Sequence, residues 1–282
     1  MRIGLVIFPT EYSIRPDELA RAAEERGFES LFVTEHTHIP ASRRSPWGGG
    51  AELPQHYWHT LDPFVGLCAA AMATSTLKVG TGVCLVTEHD PIVLAKTVAT
   101  LDLLAEGRFL FGVGGGWNAE EMEDHGTPFA ERFRIMEERV VAMRRIWTEE
   151  EPSFDGRYVQ FEPMWSYPKP VQKPGPPVLW GGESIHTMRR VAEHGDGWFP
   201  RANQFEPTAG MARLRELADR AGRSMASIDV TVYGARPARA ALDQLASAGV
   251  TRAVFTLPSE ARDTIERRLD ELAPFAAAYT DA

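Results

Sequence analysis

The sequence has few cysteines and no long apolar run, and each shortage argues against a class of protein. Cys68 and Cys84 are the only cysteines, and both lie in apolar contexts, so we predict buried free thiols in a reducing, cytoplasmic compartment. No apolar stretch reaches the roughly 20 residues that a membrane span needs. The N-terminus has one arginine and no small-residue cleavage pattern, which favours a first strand over a signal peptide.

Excess positive charge is also lacking. The net charge is −9 and the pI is about 5.5, which argues against a nucleic-acid-binding surface. Only four of the 30 basic residues are lysine, a ratio that indicates a GC-rich bacterial genome, such as an actinobacterial one. The chain is 44% hydrophobic and 24% charged, as expected for a globular protein with a large core. We therefore predict a small-molecule partner, with no nucleic acid and no membrane.

Short apolar runs alternate with helical patterns along the whole chain. The predicted strands are residues 2–8, 30–34, 77–85, 108–113, 177–180, 197–199, 228–232 and 254–257. The main predicted helices are residues 16–26, 62–73, 91–105, 131–147, 185–193, 205–221, 235–248 and 259–275. This alternation predicts one α/β domain over residues 1–282, folded as a (β/α)8 TIM barrel. A doubly wound open sheet is the competing architecture.

Two irregular stretches interrupt this alternation, one after strand 2 and one after strand 4. Residues 39–58 contain prolines, three consecutive glycines and several aromatics, which is typical of a binding loop or of a plain surface excursion. Residues 149–177 are rich in proline and aromatics, and we predict one short extra strand there, at 157–161. We interpret both stretches as insertions in a single domain.

The most unusual stretch follows the fourth strand, and it reads RFLFGVGGGWN (108–118). Three consecutive glycines remove every Cβ, which allows another group to approach the main chain closely. The spacing is not the G-x-G-x-x-G dinucleotide fingerprint, so a ligand-free turn and a ligand site both remain open.

Four strand ends carry unusual residues, and in a barrel they would meet on one rim. They are Glu35 and His36 after strand 2, Gly82 and Val83 within strand 3, Gly114 to Asn118 after strand 4, and Gly181 to Ser184 after strand 5. The last group leads into a helix whose first N–H groups suit a phosphate, although ordinary capping by Ser184 explains it equally.

His36 and His38 form an H-x-H pair that could hold a metal ion in a hydrolase. No further ligand set is evident at the strand ends, so we predict no metal and interpret His36 as a catalytic or cofactor-contacting residue. No G-x-S-x-G elbow is present for a nucleophilic serine.

Five stretches together resemble the luciferase-like superfamily, in its branch that depends on the deazaflavin coenzyme F420. They are VTEHTHIP (33–40), DPFVGLCAAAMATSTLKVGTGVCLV (62–86), DPIVLAKTVATLDLLAEGRFLFGVGGGWNAEEMEDHG (90–126), WSYPKPVQKPGPPVLWGG (165–182) and HGDGWFP (194–200). The resemblance implies a TIM barrel, a homodimer and a flavin-like cofactor at the C-terminal rim. It maps a non-proline cis peptide to Gly82–Val83.

The same resemblance implies roles for particular residues. Glu35 and His36 correspond to an acidic–histidine pair and become the expected catalytic residues. The expected cofactor contacts are His36, Gly82, Val83, Gly114, Gly115, Gly116, Asn118, Gly181, Gly182, Glu183 and Ser184. Deazaflavin sugar-phosphate dehydrogenases carry a glutamate where this chain has Trp117, and a tryptophan where it has Pro40, so we do not expect sugar-phosphate oxidation.

We therefore predict hydride transfer between F420 and a small organic substrate, with an FMN-dependent monooxygenase as the alternative. A metal-dependent hydrolase and a non-catalytic cofactor-binding protein are the other classes considered. The aromatics Trp47, Tyr57, Trp58 and Trp165 in the two insertions indicate an apolar or aromatic substrate. With Trp117, the three insertion tryptophans make up the expected substrate pocket.

Overall fold

The computed structural model describes residues 1–280 and contains a closed barrel of eight parallel strands. The barrel strands are β1 (Arg2–Ile7), β2 (Ser30–Val33), β3 (Lys78–Thr81), β4 (Phe109–Val113), β7 (Val178–Gly181), β8 (Gly197–Phe199), β9 (Asp229–Tyr233) and β10 (Arg252–Thr256). Their order around the barrel is β1-β10-β9-β8-β7-β4-β3-β2. The predicted TIM barrel is confirmed, and the open sheet is excluded because β1 pairs with β10.

Helices connect the strands and cover the outside of the barrel. They are α1 (Pro16–Glu25), α2 (Pro63–Met72), α3 (Pro91–Leu104), α4 (Ala119–Asp124), α5 (Arg132–Thr148), α6 (Ile185–His194), α7 (Pro207–Arg220), α8 (Arg239–Ala248) and α9 (Arg262–Thr280). Asp62 and Asp90 cap α2 and α3 through their side chains, with a proline at the first helical position of each. Among residues 1–280, no helix combines the length and the apolarity needed to cross a membrane.

Three predicted boundaries were wrong for local reasons. Strand β3 stops at Thr81, because the chain turns at the cis peptide between Gly82 and Val83 and does not continue extended to residue 85. Helix α8 begins only at Arg239, since Pro237 disfavours helix at the residue before it. The single extra strand predicted at 157–161 is a hairpin of β5 (Phe154–Asp155) and β6 (Gln160–Phe161).

The barrel separates two apolar layers. The larger layer lies between the strands and the helices. The smaller layer fills the barrel interior with six buried side chains: Val6, Phe32, Leu110, Leu179, Phe199 and Val254. The rings of Phe32 and Phe199 lie 5.1 Å apart in this layer, and Val83 and Tyr233 pack against it from the C-terminal side. This interior layer is the floor on which any ligand at the C-terminal rim would lie.

The opposite rim of the barrel is closed by a buried ion-pair network. The guanidinium of Arg252 is fully buried, and its Nε donates to Glu29 Oε2 at 2.7 Å. Lys78 Nζ lies 3.1 Å from the other oxygen of Glu29, and Arg2 is close by. Burial raises the pKa of a carboxyl, but Arg252, Lys78 and Arg2 outweigh burial and hold the pKa of Glu29 at about 2.

Candidate active site

A cavity of about 700 Å³ opens at the C-terminal ends of the strands, within the size range of small-molecule sites. We call it the main cavity. Its lining comprises Phe8, Thr34, Glu35, His36, Tyr57, Gly82, Val83, Leu85, Gly114, Gly115, Gly116, Trp117, Phe133, Gly181, Gly182, Glu183, Ser184, Thr187, Phe199, Arg201, Gln204 and Tyr233. The four strand ends selected from the sequence therefore meet around one space.

The glycines of the main cavity make room chiefly for protein side chains. A Cβ at Gly114 would lie 2.4 Å from Cγ2 of Val83, and a Cβ at Gly115 would lie 2.7 Å from the ring of Phe133. Gly116 and Gly182 have φ values of +67° and +111°, which other residues rarely adopt. The missing Cβ atoms of Gly114 and Gly115 thus allow the side chains of Val83 and Phe133 to pack against the glycine turn. The sequence had suggested instead that a ligand contacts this backbone directly.

His36 is a buried imidazole with both ring nitrogens engaged. Its Nδ1 lies 2.7 Å from Glu121 Oε2, and the indole Nε1 of Trp117 donates to its Nε2 across 3.4 Å. Because an indole N–H only donates, Nε2 is the accepting nitrogen and Nδ1 carries the proton given to Glu121. The backbone N–H of Thr37 donates to the second oxygen of Glu121 and fixes that carboxylate. The arrangement holds a basic nitrogen at the cavity wall.

Glu35 forms a second acid–imidazole pair beside the first. Its Oε1 accepts from Nε2 of His89 at 2.7 Å, and its Oε2 accepts from the backbone N–H of Leu85. Glu35 lines the main cavity, whereas His89 lies behind it. Together with Cys84 these side chains place three potential metal-ligand atoms within 4.8 Å of one another. Burial raises the pKa of the Cys84 thiol, which favours the neutral thiol beside this pair.

A third carboxyl, Glu88, lies in the same buried region. Burial raises its pKa, and the neighbouring charges of Glu121 and Glu35 raise it further, to about 9. At neutral pH Glu88 is therefore a neutral acid, which prevents three adjacent negative charges from repelling one another.

His36 and His38 do not share a ligand-binding face. Nε2 of His38 lies 3.0 Å from Asp124 Oδ2 on the exposed side, while the His36 ring is turned towards Glu121. The H-x-H pair therefore does not form the metal site of a hydrolase.

The turn after β7 combines a helix start with an ion pair. Ser184 accepts from the backbone N–H of Thr187 at 3.1 Å and so caps α6. Glu183 is engaged by Arg201, whose Nε and Nη2 donate to its two oxygens at 3.0 and 2.9 Å. Because Glu183 is occupied in this way, it serves to hold Arg201 at the cavity edge.

The long loop of residues 39–58 is attached to α4 beside the cavity. Glu120 accepts from the hydroxyl of Ser42 at 2.8 Å and from the backbone N–H groups of Arg44 and Ser45 at 2.6 and 2.8 Å. Burial raises the pKa of Glu120, but these hydrogen bonds outweigh burial and lower the pKa to about 2. The attachment positions Tyr57 of the same loop against His36, with ring centroids 5.3 Å apart.

Four residues selected from the sequence do not line the main cavity. Asn118 instead caps α4, accepting from the backbone N–H of Glu121. Trp47 reaches the cavity only through Tyr57, to whose hydroxyl its Nε1 donates at 3.0 Å. Trp58 is half exposed, and Trp165 is 76% exposed and bonded to Glu151. Trp117 is the one member of the expected substrate pocket that lines the cavity.

Several lining or supporting residues had no evident sequence signal. Glu121 looked like an ordinary acidic residue in the first turn of a helix, and His89 fell outside every motif. Phe133 sits inside a predicted helix, and Arg201 and Tyr233 just follow predicted strands, where nothing in the sequence gave a reason to choose them. A search for carboxylates near the fourth-strand glycines would have found Glu121, because that helix starts directly above the rim.

Comparisons with known proteins agree with this geometry. The sequence model described as luciferase-like monooxygenase matches residues 15–278. A Mycobacterium tuberculosis protein of uncharacterised function is 40% identical over 277 residues, which is 97% of this chain and 98% of that protein. The F420-dependent hydroxymycolic acid dehydrogenase of the same organism is 27% identical over 83% of this chain and 61% of its own length.

Other relatives use a different cofactor. The FMNH2-dependent dimethylsulfone monooxygenase of Pseudomonas putida is 31% identical over 72% of this chain and 54% of its own length. Among solved structures, the monooxygenase RslO1 of Streptomyces bottropensis superposes with a TM-score of 0.81 at 20% identity, covering 99% of both chains. Relatives with either cofactor share this barrel, and the match over nearly the whole chain establishes that it belongs to the luciferase-like monooxygenase family of oxidoreductases and monooxygenases.

Proposed function

We propose that this protein transfers a hydride between F420 and a small organic substrate bound in the main cavity. The observation that carries the proposal is His36, whose accepting Nε2 stands at the cavity wall while Glu121 holds Nδ1 at 2.7 Å. Hydride transfer to or from a carbon that bears oxygen needs a matching proton transfer, and an oriented imidazole provides it. The resemblance to F420-dependent relatives supports the choice of cofactor.

The residues around the main cavity fit a planar, phosphate-bearing cofactor. Val83 packs directly against Gly114 and forms an apolar wall of the main cavity, and the flat rings of Phe133 and Phe199 line the same space. At the edge, Gly182 and Ser184 precede α6, whose first backbone N–H groups lack acceptors within the helix and suit a phosphate. Arg201 lies at the same edge with its charge paired to Glu183, and its guanidinium offers further N–H donors there.

The bound F420 would supply or accept the hydride. The chain itself would hold the substrate oxygen near His36, where it would replace the 3.4 Å hydrogen bond from Trp117 so that Nε2 can take or give a proton. Glu121 would keep the imidazole in one tautomer, and Trp117 would shield it from bulk water. The aromatic rings of Phe8, Tyr57 and Trp117 favour an apolar or aromatic substrate.

The proposal predicts that F420 binds and FMN does not bind tightly. Titration of the purified protein with each cofactor, followed by cofactor fluorescence, should give saturable quenching with F420 at micromolar concentration. Tight FMN binding without F420 binding would contradict the proposal and favour the FMN-dependent monooxygenase, which the Pseudomonas putida relative supports. Binding of F420 without turnover of enones, nitro compounds or alcohols would favour a non-catalytic cofactor-binding protein.

A homodimer is part of the proposed function, and two neighbouring helices offer a surface for it. Helices α2 and α3 expose five large apolar side chains: Val65, Met72, Val93, Leu103 and Leu104. Such a patch favours burial against a second copy. We expect M72E combined with V93E to convert a dimer to monomer in sedimentation velocity, while A212E, at an exposed position of α7 across the barrel, leaves the dimer unchanged. A monomeric wild-type protein would contradict the expectation.

A further inference from the structure

A second cavity lies directly behind the main one, and one side-chain pair joins the two. The second cavity has a volume of about 330 Å³ and is largely polar. Its lining comprises Glu88, His89, Asp90, Pro91, Ile92, His125, Arg139, Tyr158, Val159 and Gln160. The main cavity is lined by Glu35, whose Oε1 lies 2.7 Å from Nε2 of His89. A proton crossing this pair would pass from one cavity to the other.

The side-chain exposures of Glu35 and His89 fit a proton path from a buried site to solvent. The Glu35 side chain is 2% exposed, whereas that of His89 is 23% exposed. The backbone N–H of Leu85 donates to Oε2 of Glu35, so the carboxylate cannot turn away from His89 without losing that bond. The two side chains therefore form a fixed single-file contact, with His89 on the wet side.

The charges around His89 favour its protonated form. It faces Glu35 after β2, Asp62 at the start of α2, Arg139 on α5 and His125 after α4, with neutral Glu88 beside it along the chain. Burial lowers the pKa of the imidazole, but the hydrogen bond and charge of Glu35, together with Asp62, outweigh burial and Arg139 and raise it. The surroundings of His89 thus favour the form of the imidazole that carries a proton on both nitrogens.

The other acid–imidazole pair, His36 and Glu121, does not reach the second cavity. The side chains of His36 and Glu121 are 6% and 1% exposed, and neither lines the second cavity. Once His36 has given up or taken a proton, its state must be restored through the main cavity. A substrate and cofactor filling that cavity would close this route.

We propose that Glu35 and His89 relay protons between the main cavity and water in the second cavity, an inference that rests on the proposed hydride transfer. In the reducing direction the Nε2–H bond of His89 breaks and an O–H bond forms at Glu35 Oε1. Imidazolium becomes imidazole, and carboxylate becomes carboxylic acid. The O–H at Oε1 then rotates towards the main cavity while Oε2 keeps its bond from Leu85, and its proton replaces the one that His36 has given to the substrate. A hydronium ion in the second cavity reprotonates Nε2 of His89 and leaves as water. In the oxidising direction every transfer runs in reverse.

The first test uses the protein without cofactor and measures the His89 pKa by NMR of its ring nitrogens. We expect a pKa above the usual value for histidine in the wild type, and a fall of at least one unit in E35Q, which keeps the shape but removes the charge. A His89 that is neutral at pH 6, or that titrates unchanged in E35Q, would overturn the relay whether or not the protein turns over.

The second test uses the F420-loaded enzyme and chemical rescue. We expect H89A to slow substrate reduction by at least about tenfold and to lose the decline in rate as pH rises through the His89 pKa. Imidazole should restore the rate by entering the second cavity, with better rescue from imidazoles of higher pKa. H59A is the matched control, since His59 also pairs with a carboxylate, Glu11, but lies outside both cavities.

The outcomes separate the relay from the function on which it rests. An H89A enzyme with wild-type rate, or a slow one that no imidazole rescues, would overturn the relay while leaving hydride transfer intact. A wild type that binds no F420 would overturn the proposed function, and the NMR titration would then decide whether the Glu35–His89 proton pair exists.

Discussion

Replacing His36 by Asn should lower the rate of hydride transfer by about 10²- to 10⁴-fold, the usual contribution of a general acid or base. The cofactor Kd should change by less than about tenfold, or 1.4 kcal/mol. The reason is that Nε2 of His36 is the basic nitrogen that Glu121 and Trp117 hold at the main cavity wall. Stopped-flow measurement of F420 oxidation or reduction in a single turnover, with separate binding titrations, would check both numbers.

Two variants sharpen this result. E121Q keeps a hydrogen-bond acceptor for Nδ1 but removes the charge that stabilises a protonated His36, so its rate should lie between those of H36N and the wild type. H38N is the control, because His38 is two residues away but is exposed and bonded to Asp124. If H36N and H38N have the same rate as the wild type, His36 is not the proton-transferring residue.

Replacing Arg252 by Met should reduce the free energy of unfolding by about 1.5–3 kcal/mol, the usual contribution of hydrogen bonds to a charged group, because Lys78 and Arg2 still face Glu29. Arg252 is fully buried, and its guanidinium makes two hydrogen bonds to Glu29 at 2.7 and 2.9 Å. Lys78 remains near Glu29 in the variant, but its amine reaches only one oxygen. Urea unfolding followed by circular dichroism would measure the loss.

The control for this variant is R213M, which removes the exposed Arg213–Glu216 pair. Exposed pairs contribute about 0–1 kcal/mol, so R213M should unfold almost as the wild type does. The pH dependence provides a second check. Because the folded pKa of Glu29 is lowered to about 2, its contribution is complete above the unfolded pKa of roughly 4.3 and is lost as pH falls towards 2. Equal stability of R252M and R213M would contradict the network's role.

The sequence predicted the barrel because its evidence is local and repeated. Each strand is a short apolar run ended by a turn signal, and some helices carry a cap that the sequence shows, as Asp62 and Asp90 illustrate. Errors arose where one residue changes the backbone path. Strand β3 ends at Thr81, just before Gly82, and α8 begins only after Pro237, although the apolar pattern continues past both positions.

The sequence predicted only those cavity residues that directly follow a predicted strand. Glu35, His36 and the glycine turns were found because they directly follow apolar runs. The partner of His36 was missed because Glu121 lies 85 residues further along the chain, and only the closed barrel brings the two together. Trp47, Trp58 and Trp165 do not line the main cavity. Composition alone cannot distinguish an exposed tryptophan, such as Trp165, from one in a cavity wall.

The proposed function can be tested most directly with isotope labels that distinguish hydride transfer from oxygenation. Reduced F420 carrying deuterium at C5, or reduced FMN in a parallel incubation, would be added to the protein with a panel of enones, nitro compounds and carbonyl compounds under ¹⁸O₂, and the product masses would be measured by mass spectrometry. Hydride transfer predicts one deuterium in the product and no ¹⁸O. Products that carry ¹⁸O and form only with reduced FMN, with no deuterium gained from F420, would show that the protein is an oxygenase and contradict the proposal.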